Sequence, residues 1–245
     1  MHMITGGKPR EVFDRWQWST VEGGAILKPS DASETLEGAN WQARVMLCGG
    51  AGAGKDTVAD MLQARARRRA VVRLAFADAL KQQVQTLLTL ANTMFAWGTR
   101  QNIQSLSRTN EAGSKRLRSM WQAYGTDIVR SIDSNYWVNQ LEQTFHQWWN
   151  LDGAFVMVTD ARFSNEVDWG RRNGFLLVKI VRPDAPGLSG AERQHSSERS
   201  LPCHNEDPDR FDLVFDNSGD RRDLEAWVDD VLWDEITRRW PGVKA

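Results

Sequence analysis

Only two cysteines, Cys48 and Cys203, occur among the 245 residues, which excludes a disulfide framework. No apolar run approaches the roughly 18 residues that a bilayer-spanning helix needs, and the polar N-terminal stretch lacks the apolar core of a signal peptide. The expectation is therefore a cytoplasmic protein with no membrane partner. Excess charge of one sign is also missing: 31 Lys and Arg against 32 Asp and Glu leave a formal net charge of −1. Nucleic acid as the main partner would normally leave a basic surplus, so that class is set aside. No Ser-His-Asp or Cys-His set offers itself for covalent catalysis. No Cys-x-x-Cys pairing supports zinc.

Ordinary apolar and charged fractions, and enough length to bury a substantial core, are what remains. Residues 1–40 show no sustained periodicity and read as an extension, either a loose arm or one packed on the main domain of 41–245. From "WQARVMLCGG" onward, apolar strand candidates (45–48, 70–77, 153–162, 175–183, 211–217) alternate with helical patterns. That alternation predicts an α/β fold, about five parallel strands with helices on both faces. Helices are expected over 78–95, about 111–131, about 134–149, 165–173 and 220–240. The polar stretch from 184 to 210 is long for a connection and reads as a lid-like insertion. Trp227, Trp233 and Trp240 on the last helix are candidates for a homodimer interface, with core packing as the default.

"CGGAGAGKDTVAD" (48–60) carries the chemistry. Four residues separate Gly49 from Gly54 and Lys55 follows, the spacing of a phosphate-binding loop set between a strand and a helix. In such a loop the backbone of Gly50, Ala51, Gly52, Ala53 and Gly54 turns its N–H groups onto phosphates. The helix N-terminus and Lys55 add positive charge. Asp56 stands where the usual pattern has a hydroxyl. It reads either as a hard-oxygen Mg²⁺ ligand, with Thr57 as the alternative, or as an acidic residue favoured by the helix dipole.

Other polar clusters suggest the second ligand. "VTDARFSNEVD" puts Asp160 and Arg162 at a strand's carboxyl end, beside the loop in a doubly wound sheet. There Asp160 could orient a metal and its waters, and Arg162 could fork onto phosphate. In "RLRSMWQAYGTDIVRSIDSNYWV", Arg118 and Gln122 share a helical face, with Asp127 and Arg130 following. An arginine for phosphate and an amide for a base edge suit a mononucleotide, although a solvated helix face is the plainer explanation. Lys81 adds a cation after the second strand. Trp121 and Trp137 are stacking candidates with core packing as the alternative. Asn217 reads as an adenine contact or as a helix cap.

Four blocks, in order, resemble the bacteriophage deoxynucleoside monophosphate kinases: "GAGKDTVAD", "RSMWQAYGTDIVR…YWV", "VTDARFSNEVD…GFLLVKIVRP" and "HSSERSLP…FDLVFDN". The resemblance runs from about 44 to 235. It implies a P-loop kinase fold that moves the γ-phosphoryl of ATP to a deoxynucleoside monophosphate, supplying DNA precursors in the host cytoplasm. By position it gives Lys55 to ATP and Arg118, Gln122, Arg130 and Arg162 to the monophosphate. Lys81, Asp127, Trp137 and Glu166 fall in the acceptor set. So do His195 and Glu198 of "HSSE", within a loop where Arg193 and Arg199 could close over phosphates. Lys55, Asp160 and Arg162 are the catalytic candidates, and Asp56, Thr57 and Asp160 the Mg²⁺ candidates.

A monophosphate acceptor is already largely dianionic at neutral pH, so the missing general base is no obstacle. Animal-type phosphomevalonate kinases are similar in a GKD loop and an Asp-x-Arg strand end. Gln122 and the aromatics between 118 and 137 favour an acceptor that carries a base. A DNA-stimulated ATPase would fit the loop but not the charge balance.

Overall fold

The computed structural model describes residues 16–21, 24–29, 41–66, 69–94, 111–148, 151–183 and 208–243. Two strands that the sequence reading did not anticipate come first: β1 (Trp16–Val21) and β2 (Gly24–Pro29), paired antiparallel. The five anticipated strands follow as β3 (Ala43–Cys48), β4 (Val71–Leu74), β5 (Phe155–Ala161), β6 (Leu176–Val181) and β7 (Leu213–Asp216). Together they form one sheet in the order β1-β2-β4-β5-β3-β6-β7. The block from β4 to β7 is wholly parallel. β2 joins its edge antiparallel to β4, with Ile26 opposite Val72 and Leu27 opposite Val71.

Strand β3 is central. Val45, Met46, Leu47 and Cys48 are fully buried, as expected of a parallel strand covered on both faces. On one face lie α1 (Lys55–Arg65) and the C-terminal helical stretch from Arg221 to Arg239, which contribute Val58, Leu62, Val228, Leu232 and Ile236 to a common core. On the other, Phe76, at the start of α2 (Phe76–Met94), meets Phe145 and Trp169 in an aromatic cluster. The Trp169 ring stands edge-on to Phe145 at 5.4 Å and to Phe76 at 6.0 Å. Trp227, Trp233 and Trp240 pack on the first core. Trp227 stacks on Phe215 at 4.5 Å, so the three tryptophans, partly buried, pack against the core.

This order makes the crevice. The chain leaves β3 through α1 to reach β4, two places away on one side. It leaves β5 through the Ser164–Arg172 helix to reach β6, on the far side of β3. Diverging connections open a gap above the carboxyl ends of β3 and β5. The helix Glu111–Gln122 continues through a π-helical segment, Ala123–Val129, into Arg130–Ile132, and is followed by the helix Tyr136–His146. Among the described residues, no helix is long and apolar enough to cross a membrane.

Candidate active site

Gly49, directly after β3, has φ 143°, and a Cβ there would lie 2.3 Å from the Ile180 carbonyl oxygen of β6. Only glycine fits a loop pressed this closely against the next strand. Gly54 closes the loop in the left-handed region at φ 103° and starts α1. The Asn217 side-chain amide, which donates to the Ala53 carbonyl at 2.8 Å, occupies the space where a Gly54 Cβ would point. Lys55 is buried and donates from Nζ to the carbonyls of Gly49 (2.8 Å) and Gly50 (2.6 Å). The loop is therefore wrapped around its own cation, at a helix N-terminus that favours anions.

In front of the loop lies a cavity of about 560 Å³. From the glycine-rich loop and the start of α1 it is lined by Ala51, Gly52, Ala53, Gly54, Lys55, Asp56 and Thr57. From the opposite side come Lys81, Arg118, Gln122, Arg130, Trp137, Asp160, Arg162 and Glu166, together with Trp121. The sequence-distant clusters thus converge on one space.

Several of these side chains are held by specific partners. The Asp160 carboxylate accepts from the amides of Phe76 (2.8 Å) and Ala77 (2.9 Å), capping α2. Each of its oxygens keeps a further lone pair. Glu166 is 2% exposed and accepts from the amides of Arg162 (2.7 Å) and Phe163 (3.0 Å). Its other oxygen forms an ion pair with Arg130, whose guanidinium also lies 3.8 Å from the Phe163 ring centre. Burial pushes the Glu166 carboxyl up to about 7, with the Asp160 charge adding to the rise and Arg130 and the two amides opposing it. Glu166 thus acts on Arg130 as an orienting partner. Trp137 is 2% exposed and donates from Nε1 to the Gly125 carbonyl at 2.9 Å. It fastens the π-helical segment as well as lining the cavity. Asp56 is largely exposed at the mouth, 3.7 Å from Arg73.

Three of the expected residues lie outside the cavity lining. Asp127 sits exposed on the π-helical segment, outside the cavity lining, because the wider turns direct it elsewhere. Asn217 is buried behind the loop, where its amide is committed to Ala53 and not presented to a base. Gly50 contributes its carbonyl to Lys55 and is not part of the lining. His195 and Glu198, with the rest of the insertion 184–207, lie outside the described residues. The sequence reading missed Thr126, Thr159, Phe163 and Arg182, all of which line the cavity. Arg182 carried the signal that had found Arg162, a cation at the carboxyl end of a strand.

The family model described as deoxynucleotide monophosphate kinase matches residues 71–227. The chain belongs to the deoxynucleotide monophosphate kinase family. Among relatives, it is 28% identical over 132 residues to the deoxynucleotide monophosphate kinase of Escherichia phage RB69, covering 53% of this chain and 49% of that one. It is 29% identical over 117 residues to the enzyme so named from Enterobacteria phage T4, covering 47% and 45%. A protein of Acanthamoeba polyphaga mimivirus, provisionally given the same description, is 30% identical over 164 residues, covering 63% and 80%. The chain thus spans about half the length of the two phage relatives. A shikimate kinase structure from Bacteroides thetaiotaomicron aligns over 81% of this chain and 98% of its own, at TM-score 0.38 and 13% identity; that likeness is too weak to build on. The family match begins at β4, so the phosphate-binding loop of this deoxynucleotide monophosphate kinase family member stands on the geometry above.

Proposed function

We propose that the protein transfers the γ-phosphoryl group of ATP to a deoxynucleoside monophosphate. The observation that carries this reading is one cavity lined both by the Lys55 loop and by Arg118, Gln122, Arg130 and Arg162. The loop amides and Lys55 bind the ATP phosphates. Arg118, Arg130 and Arg162 hold the acceptor phosphate, with Lys81 adding charge and Gln122 meeting the base beside Trp121 and Trp137. His195 and Glu198 belong to the acceptor side of a lid, and residues 1–40 are an extension of the kinase domain 41–245. The setting is the host cytoplasm.

An acceptor phosphate oxygen attacks the γ-phosphorus, the bond from that phosphorus to the β,γ-bridging oxygen breaks, and ADP leaves. No proton has to be removed from a dianionic acceptor. The side chains supply alignment and positive charge. No group of three or more His, Cys, Asp or Glu that could hold a metal occurs among the described residues. Asp56, Thr57 and Asp160 instead offer hard oxygens, which suits Mg²⁺ taking its remaining ligands from phosphates and water. When bound there, Mg²⁺ would neutralise charge on the ATP phosphates.

The test is ADP release with ATP and each of the four deoxynucleoside monophosphates, with phosphomevalonate as a fifth acceptor. Acceptor-dependent release is expected with at least one nucleotide and none with phosphomevalonate. Release with none of the nucleotides overturns the reading.

Glu166 gives the reading a pH signature. Below about 7 its carboxyl is neutral and leaves the Arg130 charge to the acceptor; above that, its carboxylate competes for the same guanidinium. The acceptor KM of the wild type, divided by that of Glu166→Gln to remove the phosphate's own ionisation, is expected to rise about 3–10-fold from pH 6 to 8. That corresponds to roughly 1 kcal/mol of altered charge pairing. A flat ratio would show that Glu166 does not titrate against acceptor binding.

A further inference from the structure

Six cationic side chains line the cavity: Lys55, Lys81, Arg118, Arg130, Arg162 and Arg182. Five have partners within the protein. Lys55 is bound by its loop, Lys81 lies 3.7 Å from Asp78, Arg130 is paired with Glu166, and Arg118 and Arg162 also make interactions. Arg182 differs. Among the described residues its guanidinium has neither a hydrogen bond nor an ion pair. It is partly buried, and a partly desolvated cation without an acceptor is costly unless a ligand supplies one.

Its position indicates which ligand. Arg182 directly follows β6, which runs parallel to β3 with Lys179 opposite Cys48. The Ile180 carbonyl presses on Gly49. The Val181 carbonyl accepts from the Asn217 amide at 2.7 Å, and the Asn217 side chain holds the loop through Ala53. The strand end that launches Arg182 is therefore fixed to the phosphate-binding loop on two sides. The acceptor-side arginines, by contrast, come from the 111–132 helix and the end of β5.

We propose that Arg182 is a catalytic residue of the donor side, contacting the terminal phosphates of the bound nucleoside triphosphate and offsetting charge on the phosphoryl group in transfer. A guanidinium fork suits two phosphate oxygens at once, and an arginine added to the transferring phosphoryl has large leverage on rate. The inference rests on the kinase reading for its donor, and its experiment has an arm that does not depend on the acceptor.

Wild type, Arg182→Ala, Arg182→Lys and Arg182→Gln are compared by transfer kinetics, by calorimetric titration with Mg²⁺ and a non-hydrolysable ATP analogue, and by thermal melting. Expected for Arg182→Ala is a kcat lowered about 10²–10³-fold, an acceptor KM within about threefold of wild type, and analogue affinity weakened about tenfold. Lysine should restore part of the loss and glutamine little, since lysine keeps the charge without the fork. Should the alanine variant melt early, the lysine–glutamine pair carries the comparison. Unchanged kcat and analogue affinity overturn the proposal, as does a loss confined to acceptor KM, which would move Arg182 to the other ligand. If the wild type phosphorylates none of the monophosphates, the acceptor assignment fails while the titration still decides the role of Arg182.

Discussion

Replacing Lys55 by alanine is expected to cut kcat for phosphoryl transfer by about 10²–10³-fold, with the acceptor KM nearly unchanged. The ammonium sits inside the loop on the Gly49 and Gly50 carbonyls, within reach of the cavity it lines. Its charge matters most where negative charge builds during transfer, so the loss should fall on kcat more than on binding. Steady-state ADP release across acceptor concentrations separates the two parameters. Thermal melting checks that the loop, deprived of its internal cation, has not taken the fold with it. A variant with kcat within threefold of wild type would remove Lys55 from the chemistry.

The largest structural effect is expected at Gly49. In Gly49→Ala the new Cβ meets the Ile180 carbonyl oxygen at 2.3 Å, on a backbone at φ 143°. A backbone carbonyl in a buried parallel strand cannot step aside as a side chain can. Strain and overpacking together should cost about 2–5 kcal/mol, a fall in Tm of roughly 5–15 °C for a chain of this size. Transfer should be lost even at temperatures where the variant stays folded. Gly54→Ala makes the informative contrast. Its clash is with the end of the Asn217 side chain, which can swing away, so the melt should move less while the Ala53 anchor is lost. Equal Tm shifts in the two variants would contradict this distinction.

Most of the parallel strands were legible because strands buried on both faces read as nearly unbroken apolar runs; β7, only part-buried at the sheet edge, was legible as the shorter run in "FDLVFDN". Arg118 and Gln122 were legible as a helical i,i+4 pair, and Asp160 and Arg162 as polar residues ending such a run. The β1–β2 pair was not. Its Gly, Ser and Thr content hides a short alternating pattern, and nothing local announces that Ile26 will meet Val72. The place of Asn217 was hidden for a related reason, since its bond to Ala53 spans 164 positions. Neither its burial nor its direction follows from the turn in which it lies. The partners of Glu166 were similarly hidden: that its carboxylate orients Arg130 depends on a contact between separate helices. Strand-end chemistry was visible but unevenly applied, which is why Arg162 was identified and Arg182 overlooked.

The π-helical stretch between Gln122 and Arg130 has a consequence for how such a site can change. With about 100° of rotation per residue in an α-helix, the step from 118 to 130 would leave those two arginines about a third of a turn out of phase. Here the Arg130 amide reaches back five residues to the Gly125 carbonyl. The slower winding absorbs the mismatch, and both guanidinium-bearing residues border the same space. Losing one residue from 123–129 would rewind the segment and rotate Arg130 off the wall of this cavity with both arginines still present, so charge placement here is governed by segment length as much as by composition.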